Sequence, residues 1–218
     1  MATPSQVQAD ARRKYNATGD TFFVDDDFYD LIYEAETILA EEALVIEKMY
    51  ESTSVANQRA YAWPTLAMAI KRIEYDGSKL IYSTFRQDDQ ETISTTDTTS
   101  SGTPTIYQLW ERNFYLRVIP DTSALVIKVF TYDRPNLQSS PTSNLDTPEH
   151  YRKDIVTYCV ANMAMKDGNT AVGQQYFNRW DLAVKRAIRW QAKSRGVDGP
   201  KRVKNVDELP QSYSYGLI

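Results

Sequence analysis

The chain has little of the chemistry on which most hydrolases and metalloproteins depend. Its 218 residues include one histidine, His150, and one cysteine, Cys159. A Ser-His-Asp or Cys-His mechanism would require that single imidazole. A structural zinc site takes about four ligands, mostly Cys and His. These shortages argue against a nucleophilic hydrolase or a zinc protein, and one cysteine excludes a disulfide within the chain.

Glycine is also scarce, with eight residues scattered along the sequence. They form neither a phosphate-binding loop nor a Gly-x-Gly-x-x-Gly turn, and no serine lies in a Gly-x-Ser-x-Gly elbow. Three consecutive acids, Asp25, Asp26 and Asp27, suggest calcium, but their spacing does not fit an EF-hand loop. We expect no catalytic, cofactor-binding or metal-ligating residue and no cofactor. The sequence therefore predicts a protein that is not an enzyme.

His150 and Cys159 have simple structural explanations. His150 lies at the start of a predicted helix, where we expect a partly exposed surface side chain. Cys159 falls in an apolar helical pattern, where a thiol is usually buried and inert.

Long hydrophobic runs are absent as well. No apolar stretch approaches the roughly 20 residues needed to span a bilayer, so no membrane association is expected. Residues 1–20 are polar and lack the apolar stretch of a signal peptide. We expect synthesis in the cytoplasm.

Charge is distributed unevenly, although the net charge is only −4. Acids dominate residues 20–51, where Lys48 is the one base, and bases dominate residues 185–204, where Asp198 is the one acid. Such a dipole can guide head-to-tail association or place a basic face near a polyanion. Two solvated helix faces would give the same pattern.

Apolar periodicity predicts three helices, at about 26–50, 148–167 and 170–194. Asp25 is the expected N-cap of the first helix. Thr147 is the expected N-cap of the second helix, with Pro148 at its first position. Gly168 should end the second helix. The apolar faces of the first and third helices are predicted to contain Phe28, Leu31, Ile32, Ala35, Leu39, Ala43, Ile46 and Met49, and Val172, Tyr176, Trp180, Ala183, Ala187 and Trp190, respectively.

Between the first two helices, residues of about 63–133 show a strand pattern. Asp76-Gly77 is a strong hairpin signal, and β-branched and aromatic runs occupy 106–110, 114–119 and 125–132. They predict a small antiparallel sheet of four or five strands. Residues 92–103, almost all Ser, Thr, Asp and Gly, are expected to form an exposed loop.

The expected fold class is therefore α+β and mainly α: a helical bundle with an inserted small antiparallel sheet and an extended C-terminal arm. Its predicted parts are a flexible N-terminal arm (1–20), a body (21–195) and the C-terminal arm (196–218). The C-terminal arm lacks periodicity yet is dotted with apolar and aromatic residues, so docking on another chain is expected. Folding back onto its own domain is the alternative.

Several segments occur in an order that resembles a known family. They are YAWP at 61–64, IKRIEYDGSKL at 70–80, GTPTIY at 102–107, LDTPEHY at 145–151, YCVANMA at 158–164, KDGN at 166–169 and YFNRW at 176–180. Together they resemble the head-to-tail adaptor, or connector, proteins of tailed bacteriophages. The resemblance covers about residues 20–194, and none of its segments is a catalytic fingerprint.

The resemblance implies a ring of about twelve copies at the neck of the virion. One side of the ring would bind the portal and the other a tail or nozzle protein, and the genome would pass through the lumen. On this sequence the C-terminal arm becomes the portal-binding segment, and the serine- and threonine-rich loop faces the tail or a neighbouring subunit. The residues implied for portal binding are Lys201, Arg202, Lys204, Leu209, Pro210, Tyr213 and Tyr215.

A basic stripe on the last predicted helix is a second candidate site. Lys185, Arg186, Arg189 and Lys193 recur at three- and four-residue steps and could contact phosphates without sequence specificity. They are assigned either to transient DNA contact in the lumen or to a subunit interface. Two alternatives to an adaptor remain: another neck or tail-completion protein, and a non-specific nucleic-acid-binding accessory protein.

Overall fold

Four α-helices and ten strands form the part of the chain that the computed structural model describes, which is residues 2–19, 22–84, 101–137 and 140–195. The helices are α1 (Pro4–Lys14), α2 (Asp25–Ala43), α3 (Arg152–Lys166) and α4 (Thr170–Arg195). The strands are β1 (Glu47–Thr53), β2 (Ala60–Ala62), β3 (Ala67–Tyr75), β4 (Ser78–Lys79), β5 (Ile81–Tyr82), β6 (Ser101–Gly102), β7 (Ile106–Trp110), β8 (Asn113–Leu116), β9 (Ile119–Pro120) and β10 (Val126–Asp133).

Helix α1 occupies a segment that was expected to be a flexible arm, and that expectation is wrong. A capping box starts the helix: Thr3 accepts from the Gln6 backbone N–H, while the Gln6 side chain accepts from the Thr3 N–H. Val7 and Ala11 are fully buried in the helical core, and Arg152 of α3 donates to Asp10 at 2.6 Å. The capping box and the burial of Val7 and Ala11 together stabilise a helix in this largely polar segment.

Helix α2 ends seven residues before the predicted end at residue 50. Leu44 takes the left-handed conformation with φ 53° and ends the helix. Residues 47–53 then pair with β10 as strand β1, in a register that sets Glu47 opposite Tyr132 and Thr53 opposite Val126. At the other end Val24, and not Asp25, is the N-cap, and Asp25–Asp27 form the first turn, where acids favour the helix dipole.

Helices α3 and α4 form an antiparallel hairpin, with bounds close to those predicted. Gly168 lies in the left-handed region with φ 80°, as expected of a helix-ending glycine. Gly173 lets the two helices approach closely, since a Cβ there would lie 2.6 Å from the Met165 sulfur. The start of α3 differs from expectation. A 3₁₀ turn, Glu149–Tyr151, precedes α3, and Thr147 does not cap it.

The strands form two four-stranded sheets and one two-stranded sheet. The first has the order β1-β10-β3-β4 and is antiparallel, and the second has the order β2-β8-β7-β5. Strand β5 pairs with β7 in parallel, as β6 does with β9. The predicted hairpin at Asp76-Gly77 is confirmed between β3 and β4, with φ values of 47° and 76°.

The two larger sheets enclose a core of their own. It contains Tyr61, Ile73, Tyr75, Leu80, Tyr107, Phe114, Leu116, Ile127 and Val129. Helices account for 42% and strands for 26% of the structure, with several sheets. The predicted fold class, a mainly helical bundle with one small antiparallel sheet, is therefore wrong. The β-structure is a second packed unit that begins at Glu47 and not near residue 63.

The connection between β10 and α3 joins the two units. Glu36 of α2 is fully buried, and its Oε1 accepts from the Thr147 backbone N–H at 3.0 Å and from the Thr147 hydroxyl at 2.8 Å. Lys48 of β1 donates to Asp146 at 2.8 Å, and the Leu145 N–H donates to the Ala2 carbonyl at 2.9 Å. Helix α2, strand β1 and the residue Ala2 before α1 thus hold one irregular segment in place.

Cys159 lies at the centre of the helical core, as predicted. Its side chain is fully buried among α1, α2 and α3 residues. Burial raises the pKa of its thiol to about 12, so the thiol stays protonated near neutral pH. None of the described helices combines the length and the apolar character that crossing a bilayer requires.

Replacing Glu36 by alanine should destabilise the protein by about 2–4 kcal/mol, because two buried donors on Thr147 lose their acceptor at about 1–3 kcal/mol each. Glu36→Gln should cost less, since its carbonyl oxygen can accept both bonds. The measurement is urea unfolding followed by circular dichroism. The matched control is Glu42→Gln, an exposed residue of the same helix, which should stay within about 0.5 kcal/mol of the natural chain. An equally small effect of Glu36→Ala would contradict the assigned role.

Cys159 should not react with a thiol reagent such as DTNB at pH 8 while the protein is folded, because the reactive thiolate is both scarce and inaccessible. In guanidinium chloride one thiol per chain should react within minutes. The absorbance of the released thionitrobenzoate measures the reaction of the thiol in the folded and in the unfolded protein. Rapid reaction of the folded protein would show that Cys159 is more accessible than the structure indicates.

Candidate assembly interface

Helix α4 has one side fixed in the core and one side open to solvent. Trp180, Ala183 and Ala187 are buried, and Trp180 packs at 5.0 Å, ring to ring, on Tyr158 of α3. On the opposite side of the helix lie Lys185, Arg189 and Lys193, all exposed. The structure thus places these three predicted residues on one outward face.

Arg186, the fourth residue of the predicted stripe, is engaged within the chain. Its guanidinium donates to both carboxylate oxygens of Asp154 on α3, at 2.7 and 2.9 Å. Within the described ranges no carboxylate forms an ion pair with Lys185, Arg189 or Lys193. Three of the four bases are therefore available for a partner, and Arg186 presents a neutralised pair.

A groove of about 660 Å³ lies beside this face, between the 3₁₀ turn and α4. His150, Tyr151, Lys153, Asp154, Arg186, Ala187 and Trp190 line it. His150 is exposed, and its ring lies 4.1 Å from that of Tyr151 and 6.5 Å from that of Trp190. The groove combines aromatic side chains with Lys153 and with the paired Arg186 and Asp154.

Two large apolar residues of α4 are mostly exposed, one of them contrary to the prediction. Trp190 was predicted on the buried stripe but is 63% exposed, and Leu182 is 66% exposed. Helix α4 has 26 residues, whereas α3 has 15. Because both helices rise by about 1.5 Å per residue, the last turns of α4 extend past the start of α3. Trp190 therefore meets the short turn around His150 and no further helix. The unequal helix lengths were the sequence signal for this overhang.

The residues that first suggested other chemistry have ordinary structural roles. Asp25 accepts from Arg12 at 3.3 Å, and Asp27 pairs with Lys166. Among the described residues no group of three or more His, Cys, Asp or Glu side chains is arranged to hold a metal ion. Surface ion pairs thus explain the acidic start of α2.

The predicted portal-binding residues, from Lys201 to Tyr215, lie outside the described residues, as does most of the serine- and threonine-rich segment 92–103. The site that the structure does describe is the outward face and groove of α4. Its exposed aromatic and unpaired cationic side chains are typical of a surface that binds another macromolecule.

Comparison with known proteins identifies the family of the chain. No curated protein matches the chain significantly. The model of the family described as SU10 adaptor protein matches residues 2–204, which includes every described helix and strand. The chain therefore belongs to the SU10 adaptor family, a family of phage head-to-tail adaptors.

Proposed function

We propose that this protein is a structural subunit of the virion neck, where about twelve copies form a ring that joins the portal to the tail and lets the genome pass. The observation that carries the proposal is the family match over residues 2–204. The same match supports a structural role without catalysis. The exposed face of α4 supports it, because a chain that acts through assembly needs surfaces of this kind.

Different surfaces of the chain would bind different partners in such a ring. The C-terminal arm, with Leu209, Pro210, Tyr213 and Tyr215 as anchors and Lys201, Arg202 and Lys204 at its base, would reach the portal. The tail or nozzle protein would bind the opposite side of the ring. Lys185, Arg186, Arg189 and Lys193 would face either the lumen or a neighbouring subunit.

Contact with DNA is the second candidate for the basic face. Three unpaired bases on one side of α4 would give weak, non-specific binding that falls steeply with salt. The acidic balance of the whole chain, with a net charge of −4, favours transient contact during genome passage over a dedicated DNA-binding role.

Removing residues 201–218 should abolish binding to the portal protein of the same phage, because the proposed anchors all lie there. Binding is measured by co-sedimentation with assembled portal, and ring symmetry by negative-stain electron microscopy of the mixture. The truncated chain should keep the circular dichroism spectrum and the unfolding midpoint of the full chain.

A full-length variant with Tyr213→Ala and Tyr215→Ala is the finer test, since it keeps the length of the arm and removes two aromatic anchors. Its matched control is Tyr82→Ala, an exposed tyrosine of β5. The arm variant should bind portal more weakly and the control should bind normally. If the truncated chain bound portal as well as the full chain, the arm would have another role. A mixture with no ring at all would contradict the adaptor function.

A further inference from the structure

The groove beside α4 carries a hydrogen-bond donor that has no partner. Only 3% of the surface of Tyr151 is exposed. Its hydroxyl forms no hydrogen bond with any described residue. A buried hydroxyl without a partner is costly. The groove also contains Lys153 and the Trp190 ring, and Lys185 and Arg189 continue its charge along α4. A segment that offers carboxylates and an apolar or aromatic side chain would complement it.

The chain itself carries such a segment. Four exposed acids recur along the outward side of α2, at steps of four and seven residues: Asp26, Asp30, Glu34 and Glu41. Two of them have partners within the chain, since Glu41 pairs with Arg134 at 3.3 Å and Glu34 forms a hydrogen bond with the Tyr158 hydroxyl. No lysine or arginine occurs between residues 21 and 47. Asp26 and Asp30 form no ion pair with any described residue. Tyr29 and Tyr33 are half-exposed beside them, so the face holds both carboxylates and aromatic rings.

These two faces cannot meet within one molecule. The opposite side of α2 is buried, with Phe28, Ile32 and Leu39 in the helical core. The opposite side of α4 is buried in the same core, through Trp180 and Ala187. Each charged face therefore points away from the core that the two helices share. Contact between the faces requires a second copy of the chain.

We propose that the outward acidic face of α2 in one copy binds the groove and basic face of α4 in the next copy. The two faces differ, so each copy carries one acidic face and one basic face, and the contact is heterologous. Such a contact joins copies head to tail. It closes into a ring if the rotation between successive copies allows it. The inference rests on the proposed ring and names the surface that would build it. It assigns Lys185, Arg189 and Lys193 to the subunit interface and not to DNA.

Complementary charge would guide the approach of the two faces. Attraction between surface charges is screened over about 8 Å at physiological salt. Contacts of this kind steer association more than they determine affinity. The exposed Trp190 and Leu182 would supply the apolar burial that holds the contact once it forms.

Disulfide trapping in the full-length chain tests the proposal directly. Asp30→Cys and Arg189→Cys are placed in separate chains, which are mixed and oxidised with diamide. Non-reducing electrophoresis should show a mixed dimer, which peptide mass spectrometry would identify as linked through the two new cysteines. Cys159 is fully buried and should not contribute. A chain with both substitutions should give a ladder of larger oligomers, because each copy then carries both halves of the contact.

Matched controls place the cysteine on exposed residues of the β-unit, with Asp121→Cys in place of Asp30→Cys and Lys79→Cys in place of Arg189→Cys. Both residues are exposed, and each substitution changes the charge by the same amount as its counterpart. Either control pairing should give several-fold less mixed dimer. Trapping of the interface pair should fall with rising salt, and Trp190→Ala should lower it without changing the unfolding midpoint.

The outcomes separate this inference from the proposed function. A ring on the portal together with trapping at the control level would overturn the α2–α4 contact and leave the adaptor function intact. Efficient trapping without any ring on the portal would support the contact and contradict the adaptor function. If Arg189→Glu weakened DNA binding but left the trapping of Asp30→Cys with Lys185→Cys unchanged, the basic face would belong to the DNA and the inference would be wrong.

Discussion

The buried contact between Glu36 and Thr147 is the constraint on which the arrangement of the two units depends. Burying a carboxylate is costly unless hydrogen bonds satisfy it, and here one oxygen accepts both the backbone N–H and the hydroxyl of Thr147. The contact fixes the chain just before the 3₁₀ turn that leads into α3. Beside it, burial disfavours the charged form of Asp146, but hydrogen bonds from the Asn136 N–H and from Lys48 lower the pKa of that carboxyl overall. Polar contacts therefore join the β-unit to the helical core, in addition to the apolar packing of Met68 of β3 on that core.

Local signals in the sequence were sufficient where an element depends on its own residues. The Asp76-Gly77 hairpin, strand β7 at Ile106–Trp110, the helix-ending Gly168 and helix α4 were all predicted within about a residue. Prediction was wrong where distant partners decide the structure. Ala43, Ile46 and Met49 fit a helical spacing, yet residues 47–53 become strand β1 because β10 offers a full register of partners. Helix α1 was missed because its few apolar residues are buried by α3, which lies more than a hundred residues away in sequence.

The candidate site likewise has features that follow from local sequence and features that depend on distant residues. Periodicity alone placed Lys185, Arg189 and Lys193 on the outward side of α4, because the spacing of a helix fixes which residues share a face. It could not show that Asp154 neutralises Arg186, since that pair joins residues on different helices. It also assigned Trp190 to the core, whereas the unequal lengths of α3 and α4 leave this indole without a helix to pack on. Burial depends on where the neighbouring helix ends, and a pattern within one helix carries no information on that.

The overhang of α4 gives one helix two separate roles. Its first turns are fixed by close packing at Gly173 and by the Trp180–Tyr158 contact, so the helix direction is set by the core. Its second half carries the unpaired bases, on the side opposite the buried Ala187, together with the exposed indole of Trp190. A helix loses little backbone entropy when it binds, because its backbone is already ordered, although its exposed Lys and Arg side chains must still be immobilised. In the proposed ring, where each copy would form the same contact with the next, this backbone rigidity would lower the entropic cost of a charge-guided contact.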